Sequence, residues 1–215
     1  MNALFGRQLA AATLQPGALL PSQFLSRMTA SFTVASKKNI NDDFSPALTD
    51  YPSDPANIEA EWGRARADER YRFTSSAVIR LPARFTLSPI FEYGSGQPWN
   101  LRYGYDYNGD GKSSDRKPGV AKFSEDGPDF MTFNIRLTYG LPLGQTARAD
   151  LIAEFFNLFN RVNYDVNSLT VNGAEFLRGP TLQNPSIVAV PNPNFKKYTA
   201  TLPPFEAQLG VRVVF

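Results

Sequence analysis

Asp106-Tyr-Asn-Gly-Asp-Gly111 is the one stretch of this 215-residue chain whose side chains are spaced like metal ligands. Asp106, Asn108 and Asp110 put oxygens at alternate positions and Gly111 supplies a sharp turn, the pattern that opens a Ca²⁺ loop. The twelfth position is Lys117, where such a loop carries a bidentate Glu, and Asp115 takes that part only if the loop folds differently. The same residues equally make a loop rich in Asx turns. The chain has no Cys and no His. That removes disulfides, thiolate metal sites, Cys nucleophiles, Ser-His triads and most zinc sites. Glu92, Asp150 and Glu154 remain as carboxylates that could form an acid/base pair. They share strand faces with Arg72, Arg80, Arg136 and Arg148, where charges of both signs pair and hold a polar wall. The expectation is therefore no catalytic residue, and no cofactor beyond the Ca²⁺ candidate. Trp99, Tyr103 and Tyr105 either stack on a ligand or belong to an aromatic belt, and both readings stay open.

The elements that must position these residues are strands. Phe205, Ala207, Leu209, Val211, Val213 and Phe215 alternate with Glu206, Gln208, Gly210, Arg212 and Val214. Successive side chains of a strand point to opposite faces, so one face here is apolar along its whole length. Five more segments repeat the pattern, at 28–35, 71–81, 85–93, 131–139 and 147–156. Wherever a charged residue occurs in these segments it falls on the polar face. Residues Gln8 to Leu20 hold a candidate seventh strand interrupted by Pro16 and Gly17, so residues 1–27 are poorly defined and 28–215 form the main unit.

Alternation alone also fits a soluble sandwich. The connections favour a barrel. Leu81 to Phe85 and Tyr139 to Ala147 are short, whereas 38–70, 94–128 and 160–204 are long. Transmembrane barrels have short periplasmic turns and long extracellular loops. Strands of ~9–11 residues cross a bilayer at a tilt. Tyr71, Tyr93, Tyr139, Phe155 and Phe159 lie near strand ends, where rings suit the headgroup layer. With Phe 17 and Tyr 9 the chain is rich in aromatics, and Gly 15 with Pro 17 provides many turns. A net charge of +2 gives no footprint for nucleic acid. Mean hydropathy is −0.29, and no run of ~18 apolar residues marks a helical span. The amino-terminus carries no basic segment ahead of its Ala-rich stretch, so no signal peptide is expected at Met1.

Several stretches resemble the carboxy-terminal barrel of TonB-dependent outer-membrane receptors, in particular the Oar-like group with a carboxypeptidase-regulatory-like domain. They are Ala60-Glu-Trp-Gly-Arg, Asp68-Glu-Arg-Tyr-Arg-Phe, Ser95-Gly-Gln-Pro-Trp, the Asp106 to Arg116 loop, Ala153-Glu-Phe-Phe-Asn-Leu-Phe-Asn-Arg-Val-Asn-Tyr and Gln208-Leu-Gly-Val-Arg-Val-Val-Phe. The resemblance implies an all-β, antiparallel transmembrane barrel segment in the bacterial outer membrane, with six to seven strands and long extracellular loops. It implies outer-membrane lipid as surroundings, and coupling to TonB through a plug that these strands do not contain. Gln208, Gly210, Val213 and Phe215 match the terminal signal that the Bam assembly machinery reads in this class. The implied function is uptake of a large, scarce nutrient. An adhesive surface protein and a soluble β-sandwich are the alternatives. Six or seven strands fall short of the smallest barrels, at ~8, so the expectation is an incomplete barrel.

Overall fold

The computed structural model describes residues 5–12, 25–40, 52–165 and 173–215. In chain order its strands are β1 (Phe5–Ala12), β2 (Leu25–Ser36), β3 (Lys38–Asn39), β4 (Gly63–Arg64), β5 (Tyr71–Arg80), β6 (Phe85–Gly94), β7 (Pro98–Trp99), β8 (Glu125–Asp126), β9 (Phe130–Leu143), β10 (Ala147–Phe156), β11 (Phe176–Arg178), β12 (Val190–Pro191) and β13 (Glu206–Val214). The protein is all-β. One antiparallel sheet dominates, in the order β1-β2-β5-β6-β9-β10-β13. Each long strand pairs with the next one along the chain, so the sheet is a meander. It is open, with β1 and β13 as its edges.

Period-two patterning explains the register. Phe32 pairs with Phe73, Phe73 with Tyr93, and Tyr93 with Met131. Leu87 pairs with Leu137, Leu137 with Ala153, and Ala153 with Leu209. A one-residue slip would bring charges into these apolar rows. The apolar face is banded. Near the loop end lie Phe32 stacked with Tyr71 at 6.3 Å, Phe73 with Phe91 at 5.9 Å, and Phe155 with Phe205 at 6.4 Å. At the turn end Phe85 meets Tyr139 at 4.8 Å. Aliphatic and small side chains fill the span between. Among the described residues nothing packs on this face of the last strand: Leu209 is 86 % exposed, Val211 67 % and Phe215 95 %.

Three boundaries differ from the sequence reading. The amino-terminal strand is Phe5–Ala12, ahead of Pro16 and Gly17, and pairs with β2; residues 13–24 lie outside the described residues. The second strand begins at Leu25 rather than Met28. The link read as Tyr139 to Ala147 is mostly strand, because β9 runs to Leu143 and leaves Gly144–Thr146 as the turn. Past Tyr139, β9 has outrun β6 and pairs only with β10, which gives Pro142 an edge position where a missing N–H is tolerated. Pro89 lies inside the sheet. The β5–β6 ladder drops its rungs between Ser76↔Ile90 and Ile79↔Leu87 and keeps the same register.

The long connections all emerge at one end. Their described parts hold the small sheets β3–β4, β7–β8 and β11–β12. These segments interlock through buried polar groups, so the loops form a cap.

Candidate functional site

Two places hold the residues singled out by chemistry: the polar face of the sheet and the loop cap. The polar face follows from the alternation and runs in rows across strands. Ser88 pairs with Arg136, Arg136 with Glu154, and Glu154 with Gln208. Arg136 Nε and Nη2 both reach Glu154 Oε1 at 2.5 Å, and Gln208 Nε2 donates to Glu154 Oε2. One row nearer the turns, Asp150 accepts from Arg212 at 2.6 Å and faces Arg148 Nε at 2.8 Å. Glu92 lies 3.8 Å from Arg72. All three carboxylates considered for acid/base work are thus paired to guanidinium groups.

The terminal-strand residues divide between the two faces. Gln208 and Gly210 are on the polar face with Arg212; Val213 and Phe215 are on the apolar face. Gln208 and Arg212 tie the last strand to β10 at Glu154 and Asp150. Gly210 lies opposite Ile152.

In the cap, the Phe156-Asn-Leu-Phe-Asn-Arg stretch is a clamp. Asn157 and Asn160 sit at φ 46 and φ 48, in the left-handed region that Asn tolerates better than most residues. Asn157 Oδ1 accepts from the Arg161 N–H at 3.0 Å. Asn160 Oδ1 accepts from the Phe205 N–H at 3.0 Å, which fixes where the last strand begins. Asn163, 2 % exposed, completes both backbone bonds of Met131, accepting from its N–H and donating to its carbonyl at 3.0 Å each. In Ser95-Gly-Gln-Pro-Trp, a Cβ on Gly96 would lie 1.8 Å from the Gly127 carbonyl, so only Gly fits.

The Asp106 loop is closed on itself. Asp106 Oδ1 accepts from the Gly109 and Asp110 N–H at 2.6 and 3.1 Å, and its Oδ2 from Gly111 at 2.8 Å. Asn108 Oδ1 accepts from Asp110, and Asp110 Oδ1 from Lys112. These are the nested Asx turns that the sequence allowed. Among the described residues no three Asp, Glu, His or Cys side chains converge as a metal would require. Asp115 folds back on the loop, as sequence allowed only for a non-standard loop. Its Oδ2 accepts from Tyr107 at 2.6 Å and Asn108 at 3.0 Å, while Oδ1 is buried with no partner among the described residues. Burial pushes the Asp115 carboxyl above its ordinary range, and the charges of Asp110 and Asp106 add to this against the two backbone donors.

The three aromatic candidates do not form one cluster. Trp99 is buried in the cap, its indole N–H donating to the Asp126 carbonyl at 3.3 Å beneath the Lys196 ammonium. Tyr103 stacks with Tyr107 at 4.8 Å and meets Tyr105 at 5.3 Å, and the Tyr105 hydroxyl donates to the Pro180 carbonyl at 3.0 Å. Burial raises both the Tyr103 and Tyr105 hydroxyls above their ordinary range. This column stitches two long loops together. Sequence reasoning missed Tyr107 and the buried pair of Glu61 with Arg116 at 2.7 Å, which joins the 38–70 loop to the 94–128 loop. No local pattern links residues 55 positions apart.

The chain matches no protein-family model, no curated protein and no solved structure.

Proposed function

We propose that this chain supplies part of the wall of an outer-membrane β-barrel receptor of the TonB-dependent kind, with the apolar face toward lipid and the polar face lining the lumen. The observation that carries the reading is the banded apolar face. Aromatic rings lie at both strand ends and aliphatic side chains between them, on strands of 9–14 residues through β5, β6, β9, β10 and β13. Those lengths fit a tilted bilayer crossing. The opposite face carries charges that pair around water, as a lumen wall does. The edges β1 and β13 cannot face hydrocarbon with free N–H and C=O groups, so they require further strands to close a barrel. In this reading the cap faces the cell exterior, where it captures a ligand. Transport then depends on a plug moved through TonB, and Gln208, Gly210, Val213 and Phe215 serve assembly by the Bam machinery.

The absence of Cys makes the test clean. Leu87→Cys and Ser88→Cys put one thiol on each face of β6. In membranes bearing the protein, a fluorophore on Leu87→Cys is quenched by acyl chains carrying nitroxides, and one on Ser88→Cys is not. Absence of quenching at Leu87→Cys would show that the apolar face is covered by protein, as in a soluble sandwich.

A further inference from the structure

Charge on the polar face is unevenly distributed. Toward the loop end, Glu69, Glu92 and Glu154 accompany Arg72 and Arg136. At the turn end a groove of about 730 Å³ is lined by four arginines, Arg80, Arg84, Arg148 and Arg212, and a single carboxylate, Asp150. Arg148 and Arg212 both use Asp150, which is 2 % exposed. Arg80 and Arg84 are exposed and have neither an ion pair nor a side-chain hydrogen bond among the described residues. The groove therefore holds three positive charges in excess, the four guanidinium groups less one carboxylate. Arg84 is presented from a tight turn in which Ala83 and Arg84 adopt φ 57 and φ 67, in the left-handed region. Like charges gathered this closely repel, and an anion relieves them. A guanidinium with no partner retains its whole planar fork for a bidentate carboxylate.

We propose that this groove binds a carboxylate-bearing segment of another polypeptide. Arg80 and Arg84 grip its acidic side chains, and Arg148 and Arg212, held by Asp150, form the far wall. A peptide fits better than a lipid headgroup because most of the lining (Arg80, Thr86, Thr138, Arg148, Asp150 and Arg212) belongs to the charged face, and Phe85 is the only member of the aromatic bands that reaches it. That choice rests on the proposed barrel reading, in which this face lines the lumen. Thr86, Thr138, Gln145 and Thr146 on its wall offer uncharged hydrogen-bonding groups to a backbone.

The test uses the full chain in detergent micelles with a fluorescent hexaglutamate peptide, read by anisotropy. Hexaglutamate should bind at least tenfold more tightly than hexaglutamine, and binding should weaken as salt rises. Arg80→Gln with Arg84→Gln should weaken it by about tenfold, the value of one or two charge-assisted pairs. Asp150→Asn should tighten it, because Arg148 and Arg212 lose their internal counter-ion; a gain cannot come from misfolding. Equal binding of hexaglutamate and hexaglutamine, or no change in either variant, overturns the proposal. Displacement by inorganic phosphate at the same carboxylate-equivalent concentration makes the groove a general anion site. Displacement by phosphatidylglycerol in mixed micelles at lower concentration than unlabelled hexaglutamate makes it a headgroup site. Either result also overturns the proposal. The lipid-quenching measurement on Leu87→Cys is read separately, so failure of the barrel reading and failure of peptide binding give different signatures.

Discussion

Replacing Arg116 by Met should loosen the cap. Glu61 and Arg116 pair at 2.7 Å with side chains 3 % and 7 % exposed. Glu61 Oε1 also accepts from the Ser53 N–H at 2.9 Å. Removing one partner of a buried pair costs about 3–5 kcal/mol, because the other charge is stranded. Glu61→Gln strands the guanidinium instead and should cost a similar amount. The double variant Glu61→Gln with Arg116→Met strands neither charge and should recover most of the loss. Native-state hydrogen exchange at the Ala60 and Trp62 amides, which are bonded to Asn57 and Glu59, reads local opening of this segment. Wild-type protection in Arg116→Met at pH 7 would refute the reasoning. So would a double variant whose loss equals the sum of the two singles.

Two further substitutions test separate parts of the argument. A Cβ on Gly210 would lie 4.0 Å from Ile152 Cβ, an ordinary contact, so Gly210→Ala should fold in detergent with stability unchanged or raised by about 0.5–1 kcal/mol. Its insertion by Bam-containing membranes should nevertheless slow; unchanged insertion, or equal losses of stability and insertion, would remove the recognition role proposed for Gly210. Asp115 has a raised folded value, so its ionised form penalises the fold, and the loop gains stability as pH falls through that value toward the ordinary carboxylate range. Asp115→Asn keeps an acceptor for the Tyr107 and Asn108 N–H groups and should abolish the part of this gain that belongs to Asp115. The difference between wild type and variant in protection of those two amides, corrected for intrinsic exchange, isolates it from Asp106 and Asp110. An identical pH profile in both proteins would contradict the assignment.

Much of the sheet is legible in the sequence because its signal is local. A strand turns each successive side chain over, so Phe85, Leu87, Phe91 and Tyr93 declare one face within nine residues, and Thr86, Ser88 and Glu92 declare the other. The strand ends were less legible. Nothing near Tyr139 announces that β9 continues to Leu143, since that depends on a neighbour, β10, still being there to pair with. The Phe-Asn-Leu-Phe-Asn-Arg stretch stood out as a pattern, but its meaning required the fold. Asn160 serves the Phe205 N–H, 45 residues away.

The sequence by itself determined the all-β class, the faces of the long strands, the gathering of charge on one of them, and the alternation of short and long connections. All of these follow from side-chain period and from the chemistry of residues adjacent in the chain. Tertiary structure alone decided that Asp115 turns back onto the Asp106 loop and that Trp99 is part of the cap interior. It alone gathered Arg80, Arg84, Arg148 and Arg212 around one carboxylate. Each of these depends on where distant segments meet. That is set by loop closure and cross-strand register, and it leaves no periodic trace in the residues themselves.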